Sequence, residues 1–312
     1  MRKTLCVLSF IVRRLLALVA VLFCVVTLTF FLVRLAPGGP FDRERKIPAA
    51  IEQQLLAKYK LDGTLWQQYT GYLGDLVRGD LRLSTKYRNR SVNEILAQTL
   101  PVSATLGAAA FLIATVAGVT LGTLAAARHQ TAMDTWAMLA ALFAISVPTF
   151  VTGPLLILVF ALEWRVLPVG GWGSWPHLIL PAITLAGPYT AYIARLMRTS
   201  MLETLGKDFV RTARAKGLRE SVVLYKHALK TAILPVVSFL GPLAANLLTG
   251  SIVVEAVFNI PGAGGFFVNS ILNRDGFLLG GVVIVYCALL VVMNLLVDIF
   301  YTMLDRRIRL DG

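Results

Sequence analysis

Charge is scarce in this chain. Of its 312 residues only 15% are Asp, Glu, Lys or Arg, against about 25% in an ordinary soluble domain. Acidic residues are scarcer still, 17 against 30 basic ones. This shortage argues against a soluble enzyme and against a disordered chain, both of which depend on polar residues in quantity. Cysteine is sparse too. Cys6, Cys24 and Cys287 form neither a disulfide framework nor a thiolate metal site. His129, His177 and His227 lack metal-ligand spacing. No P-loop is present: Gly206-Lys207 is followed by Asp208, and position 201 is Met rather than Gly, so the usual phosphate cradle of an ATPase is missing. His-Glu-x-x-His and a credible nucleophile–base pair are absent as well.

What the chain does have is apolar length: 57% apolar residues and a mean hydropathy of +0.72. Six stretches contain no charged side chain, namely Leu15–Val33, Ile95–Ala127, Thr135–Leu162, Val166–Ala194, Thr231–Val254 and Gly276–Val297. A hydrocarbon layer about 30 Å thick takes about 20 apolar residues of helix to cross. Lipid offers the backbone no hydrogen-bond partner, so the crossing unit is a helix or a closed barrel. These runs are too long and too evenly apolar for barrel strands. Six transmembrane helices are therefore expected. A seventh charge-free run, Ala256–Asn273, holds Pro261 and several glycines and is expected to be a loop or re-entrant element.

Lys and Arg collect on the cytoplasmic side of membrane proteins. Arg2, Lys3, Arg13, Arg14, Arg128, nine basic residues between Arg195 and Lys230, and Arg306, Arg307 and Arg309 fall on one side. Only Arg165 and Arg274 fall in the short loops of the other side. Both termini are then expected in the cytoplasm, and the first span is expected to be a retained anchor. The net charge of +13 reads mostly as a topology signal, not as a nucleic-acid-binding surface.

Three parts follow. Residues 1–34 form the N-terminal segment and first span. Residues 35–94 form an external helical subdomain, with apolar stripes at Ile51, Leu55, Leu56 and Tyr59 and at Trp66, Tyr69, Tyr72, Leu73 and Leu76. Ser91 and Glu94 have the spacing of a capping box. Residues 95–312 form a core of five spans with a cytoplasmic loop, 195–232.

That loop carries the strongest functional signal. Lys207–Leu218 reads as a short helix over Phe209–Lys216, with Asp208 capping its start and Gly217 in the left-handed conformation at its end. Ala213 and Ala215 are small enough for close approach, and Arg211, Arg214 and Lys216 offer charge-assisted contacts. Two readings arise from the residues alone: a basic loop resting on anionic headgroups, or a docking helix for a cytoplasmic partner. Within the spans, Asn246 lies near a midplane, where an amide faces the bundle or an aqueous path. Ser251 follows it. Glu255 ends the fifth span as an interfacial charge or part of a substrate entrance, and Asp298 is expected to play a structural part near the inner interface.

Arg211-Thr-Ala-Arg-Ala-Lys-Gly217-Leu218, followed by His227-Ala-Leu-Lys-Thr-Ala-Ile-Leu-Pro235, resembles the cytoplasmic coupling motif of binding-protein-dependent ABC importer permeases. The resemblance extends through Arg34-Leu-Ala-Pro-Gly-Gly-Pro-Phe41, Gly79-Asp-Leu81, Leu100-Pro-Val-Ser-Ala-Thr-Leu106, Val147-Pro-Thr-Phe150, Leu167-Pro-Val-Gly-Gly171, Ile179-Leu-Pro-Ala182 and Ile260-Pro-Gly-Ala-Gly264. These segments are similar to the peptide-permease branch, and Pro40–Arg45 with Asn273-Arg-Asp275 to the first, B-type membrane subunit of oligopeptide importers. The chain departs from the broad motif in having Arg211 where a Glu leads it and in lacking a Pro near Lys230.

The resemblance implies an all-α type I ABC importer permease in a bacterial inner membrane. It implies a second homologous permease as heterodimer partner, two cytoplasmic ATPase subunits that bind ATP and Mg, an external peptide-binding protein and a peptide substrate. No cofactor is expected in this chain. Arg211, Thr212, Ala213, Arg214, Ala215, Lys216, Gly217 and Leu218 would couple to the ATPases, and Asn246, Ser251 and Glu255 would line the translocation path. Related dipeptide, nickel and antimicrobial-peptide permeases share these motifs. An ion-coupled carrier would carry ionisable residues near the midplane, which these spans lack.

Overall fold

The structure is a computed structural model. It describes the backbone of residues 2–35 and 49–304 and the side chains of residues 16–35 and 53–296. Residues 36–48 with the run Pro40–Arg45, the basic residues Arg306, Arg307 and Arg309, and the side chains of Arg2, Lys3, Cys6, Arg13, Arg14 and Asp298 lie outside the described residues.

Among the described residues the chain is helical, apart from one bridge between Leu83 and Ser91. The helices are α1 (Arg2–Leu35), α2 (Ala49–Lys58), α3 (Leu65–Val77), α4 (Val92–Ala127), α5 (Ala132–Ser146), α6 (Thr149–Leu156, continued as a π-helix over Ile157–Glu163), α7 (Trp175–Leu205), α8 (Asp208–Ala215), α9 (Glu220–Val222, running on as a π-helix over Val223–Ala228), α10 (Leu229–Ala232), α11 (Leu234–Leu248), α12 (Ile252–Val257), α13 (Ala263–Leu272) and α14 (Gly276–Leu304).

Among the described residues, four stretches are long and apolar enough to cross a membrane: Leu16–Leu35, Val92–Ala127, Leu234–Val257 and Gly276–Leu296. The run Thr135–Leu162 was expected as one transmembrane helix. Instead it is two helices that meet at 106°. The cause is local. Pro148 has φ −60° and ψ 146°, and Val147 before it is extended at φ −86° and ψ 120°. A proline ring excludes helical geometry from the preceding residue and supplies no N–H to continue the ladder. The run Val166–Ala194 opens as a loop and becomes α7. This helix is 31 residues long, but Pro181, Pro188, His177 and its tyrosines make it less apolar than the four. The run Ala256–Asn273 contains no span, only the end of α12 and the 10-residue α13.

The contacts divide the chain into two compact units: residues 1–102 with 262–289, and residues 103–261 with 290–312. In the first, α3 begins with a reciprocal capping box at Thr64 and Gln67. Ser91 and Glu94 form the second box, each side chain accepting from the other's backbone N–H at 3.1 Å. Phe30, Tyr69, Tyr72, Val92, Ile95, Phe277 and Leu278 make a buried core. Thr27 Oγ1 lies 2.7 Å from the Tyr69 hydroxyl and ties α1 to α3. Asp75 accepts from Arg82 Nε at 2.8 Å and from Lys60 Nζ at 3.1 Å. Burial alone would raise the Asp75 carboxyl, but these bonds outweigh it and hold it below the ordinary range.

In the second unit α7 is the central column. Ala182, Ala186, Ala191, Ile193, Ala194, Met197 and Met201 on it are buried. Gly118 and Gly122 give α4 a small-x-x-x-small face against which α7 comes very close. A Cβ at Gly118 would stand 2.7 Å from the Ile193 side chain, and one at Gly122 2.4 Å from the Ala194 carbonyl. Between helices in lipid, packing and not hydrophobic expulsion drives contact, so small residues mark the interface.

Candidate functional site

The loop singled out by its sequence folds as α8, one residue earlier than expected. Lys207 takes the capping position, with φ −77°, ψ 151° and no side-chain cap bond, so Asp208 is the first helical residue and not the cap. Its carboxylate still sits at the positive end of the helix dipole. At the other end Gly217 N–H donates to the Arg214 carbonyl at 2.9 Å and Leu218 N–H to the Ala213 carbonyl at 3.4 Å. This is a Schellman ending, and Gly217 meets its left-handed requirement with φ +74°.

α8 has two faces. Val210 and Ala213 point inward and are buried, with α7 and the π-turn after α9 as neighbours. Ala213 therefore packs within the chain and does not serve close approach by a partner. Asp208, Phe209, Arg211, Thr212, Arg214, Ala215 and Lys216 are exposed, as are Gly217 and Leu218. Arg211 is 73% exposed and only loosely paired with Asp208 at 3.8 Å. Arg214 is engaged across the Gly217 turn: its Nη2 and Nε reach the two Glu220 oxygens at 2.6 and 3.2 Å. The Arg214 hydrogen bond holds the Glu220 carboxyl below its usual range and in turn raises the guanidinium. Both groups face water, so the pair fixes the angle of the turn and adds less than about 1 kcal/mol. The result is a two-turn basic helix whose outward face no other element covers among the described residues.

The path candidates are dispersed. Asn246 lies with Pro242 on the exposed stripe of α11, while Leu243, Ala244, Ala245 and Leu247 around it are buried. Ser251 caps α12 by accepting from the Val254 N–H. Glu255, expected at an interface, is 3% exposed. Its Oε1 accepts from the Ser103 hydroxyl at 2.7 Å. The carboxylate fits only because residue 250 is glycine: a Cβ there would stand 2.5 Å from Glu255 Oε1, and the backbone has φ +100°. Ser251 and Glu255 belong to one helical turn, where Glu255 N–H donates to the Ser251 carbonyl at 2.8 Å.

One cluster was not foreseen. Asp134, 4% exposed, accepts from Arg198 Nε at 2.6 Å and from Nη2 at 2.7 Å. The Gln130 N–H adds a third bond at 3.1 Å. His129 Nδ1 lies 3.1 Å from Asp134 and 3.2 Å from Arg198. The pair joins the start of α5 to α7 seven residues before α7 ends, and α8 begins three residues beyond that end. The sequence signal was the acid four residues after the turn at Gln130, but its partner is 64 residues away.

Residues 118–310 match the family described as "Binding-protein-dependent transport system inner membrane component". The chain is 45% identical to the oligopeptide transport system permease protein OppB of Haemophilus influenzae, over 97% of its length and 99% of the relative. It is 44% identical to OppB of Escherichia coli K12 with the same coverage. It is 42% identical to the dipeptide transport system permease protein DppB of Bacillus subtilis, over 96% of this chain and 98% of the relative. The family consists of transport permeases and not enzymes. This chain belongs to the binding-protein-dependent transport system inner membrane components, as a multi-pass, all-helical ABC importer permease of the peptide-permease branch.

Proposed function

We propose that this chain is one of two permease subunits of an ATP-driven oligopeptide importer. The observation that carries the substrate class is its likeness, over essentially its full length, to relatives named for oligopeptide transport. The 42% identity to a dipeptide permease keeps dipeptides as the second reading. In the purified complex with its ATPases and binding protein, uptake of a labelled tetrapeptide should exceed that of a dipeptide. The reverse order selects the second reading.

The finer architecture belongs to this proposal. α7 is the fourth of six spans, the bent pair α5–α6 is one crossing, residues 35–94 are an external subdomain, and both termini face the cytoplasm. Reporter fusions after Arg214 and after Arg309 should read as cytoplasmic and one after Tyr69 as external. An external reading at Arg309 would overturn the count of six.

The uncovered face of α8 supports a docking role. Two ATPase subunits, which bind ATP and Mg, would grip it, and their closure would displace α8 and α7 and open the pathway to the outside. Asn246, on the exposed stripe of α11 with Pro235, Ser238 and Pro242, is the best placed of the path candidates. Glu255 and Ser251 act by shaping the turn at Gly250. Deleting Arg211–Gly217 should leave the protein in the membrane while abolishing co-purification of the ATPases. Recovery of a normal complex from that deletion would defeat the docking role.

A further inference from the structure

A cavity of about 660 Å³ lies within the first unit, at the end of α1 and the start of α14. Its polar lining comes from Thr29, Arg34, Thr85, Ser270 and Arg274. Two of these carry orphaned atoms. Arg34 Nε and Thr85 Oγ1 are buried and have no hydrogen-bond partner. Buried polar groups without partners are uncommon, and two on one cavity wall ask for a ligand.

The cations are not neutralised from within. Arg34 rests over the rings of Phe30 and Phe277 at 5.2 and 5.8 Å. Among the described residues neither Arg34 nor Arg274 has an ion pair. The neighbouring acid, Asp275, is committed elsewhere. It accepts from the Ser84 hydroxyl, and from the Thr85 and Leu278 N–H groups at 3.2 Å each.

Most of the remaining lining is apolar, and much of it comes from two of the candidate spans. Leu32 and Val33 belong to the last turn of the span Leu16–Leu35, and Leu279 and Val283 to the first turns of the span Gly276–Leu296. Leu32 and Leu35 are exposed on the outer surface of α1. Two guanidiniums thus stand where a hydrocarbon layer gives way to headgroups, above walls at acyl-chain depth.

We propose that this cavity binds an anionic phospholipid. Its phosphodiester accepts hydrogen bonds from Arg34, Thr85 and Arg274, and its acyl chain lies along Leu32, Val33, Leu279 and Val283. A free phosphate would use only the polar end, and a zwitterionic lipid would bring its own ammonium to a site that already holds two cations. The proposal goes beyond the transport reading and rests only on the chain's membrane location.

The test uses the purified importer complex in detergent, stripped of lipid and then supplied with phosphatidylglycerol or phosphatidylcholine, with bound lipid counted by native mass spectrometry. Phosphatidylglycerol should be retained at least tenfold more tightly than phosphatidylcholine. Arg34→Gln combined with Arg274→Gln should remove that preference. Val283→Trp, which keeps both cations and fills the apolar groove, should lower phosphatidylglycerol occupancy as well. The wild-type lipid comparison and Val283→Trp decide the matter even if the arginine variant does not assemble. Equal retention of the two lipids, or wild-type occupancy in these variants, overturns the proposal. So does displacement of the lipid by millimolar inorganic phosphate, which would mark a free-anion site, or by a tripeptide, which would mark a substrate site.

Discussion

Asp134→Asn is expected to lower the melting temperature of the detergent-purified protein by about 5 °C or more. The substitution removes one charge of a buried pair and leaves the other. Such a change costs about 3–5 kcal/mol, because the remaining charge keeps its desolvation penalty without its partner. The lower end applies here, since the Arg198 side chain is 23% exposed and can recover some water. For a chain of this size about 3 kcal/mol corresponds to several degrees. Arg198→Gln should cost a similar amount. The double substitution should cost clearly less than the sum of the two, because the residues share one interaction. Single variants that melt within a degree of the wild type would show that the contact contributes little. The location gives the pair further weight: it fastens the bent span α5–α6 to the helix that leads into α8.

The second large effect sets two glycines of the same chain against each other. Gly122→Ala places a methyl group 2.4 Å from the Ala194 carbonyl oxygen and 2.7 Å from Met197 Cβ. The first neighbour is backbone and cannot swing aside, so α4 and α7 must separate. Overpacking of this kind costs about 1–3 kcal/mol. Alanine also favours the helix over glycine by about 1 kcal/mol. The steric cost should win, with a net loss of about 1 kcal/mol. Gly74→Ala in α3 has nothing within 4 Å of the added methyl, so only the propensity gain of up to about 1 kcal/mol remains. The two variants should therefore shift the melting temperature in opposite directions. A shift of the same sign in both would show that the close approach of α4 and α7 is not maintained in solution.

Much of the local structure was legible in the residues. Ser91 and Glu94 announced a helix start, Gly217 announced a helix end, and Pro148 sits where the third run breaks. Each signal acts through its own backbone within a few residues, so no tertiary information is needed to read it. The misplacement of the α8 cap by one residue has the same scale: Asp208 is as good a first-turn residue as it is a cap, and sequence alone does not choose.

The apolar runs, the sign of the loops and the exposed basic motif were thus determined by the sequence alone, because hydrocarbon length and local backbone chemistry depend on consecutive residues. Only the tertiary structure decided that Glu255 is buried against Ser103, that Asp134 finds Arg198, that Gly118 and Gly122 meet α7, and that Arg34, Thr85 and Arg274 share a cavity. The reason is the solvent. In water a helix writes its buried face into its sequence as a stripe, but in lipid the outward and inward faces are both apolar. The rotation of each span about its axis is then hidden from any reading of periodicity, and it is this rotation that brings distant side chains together.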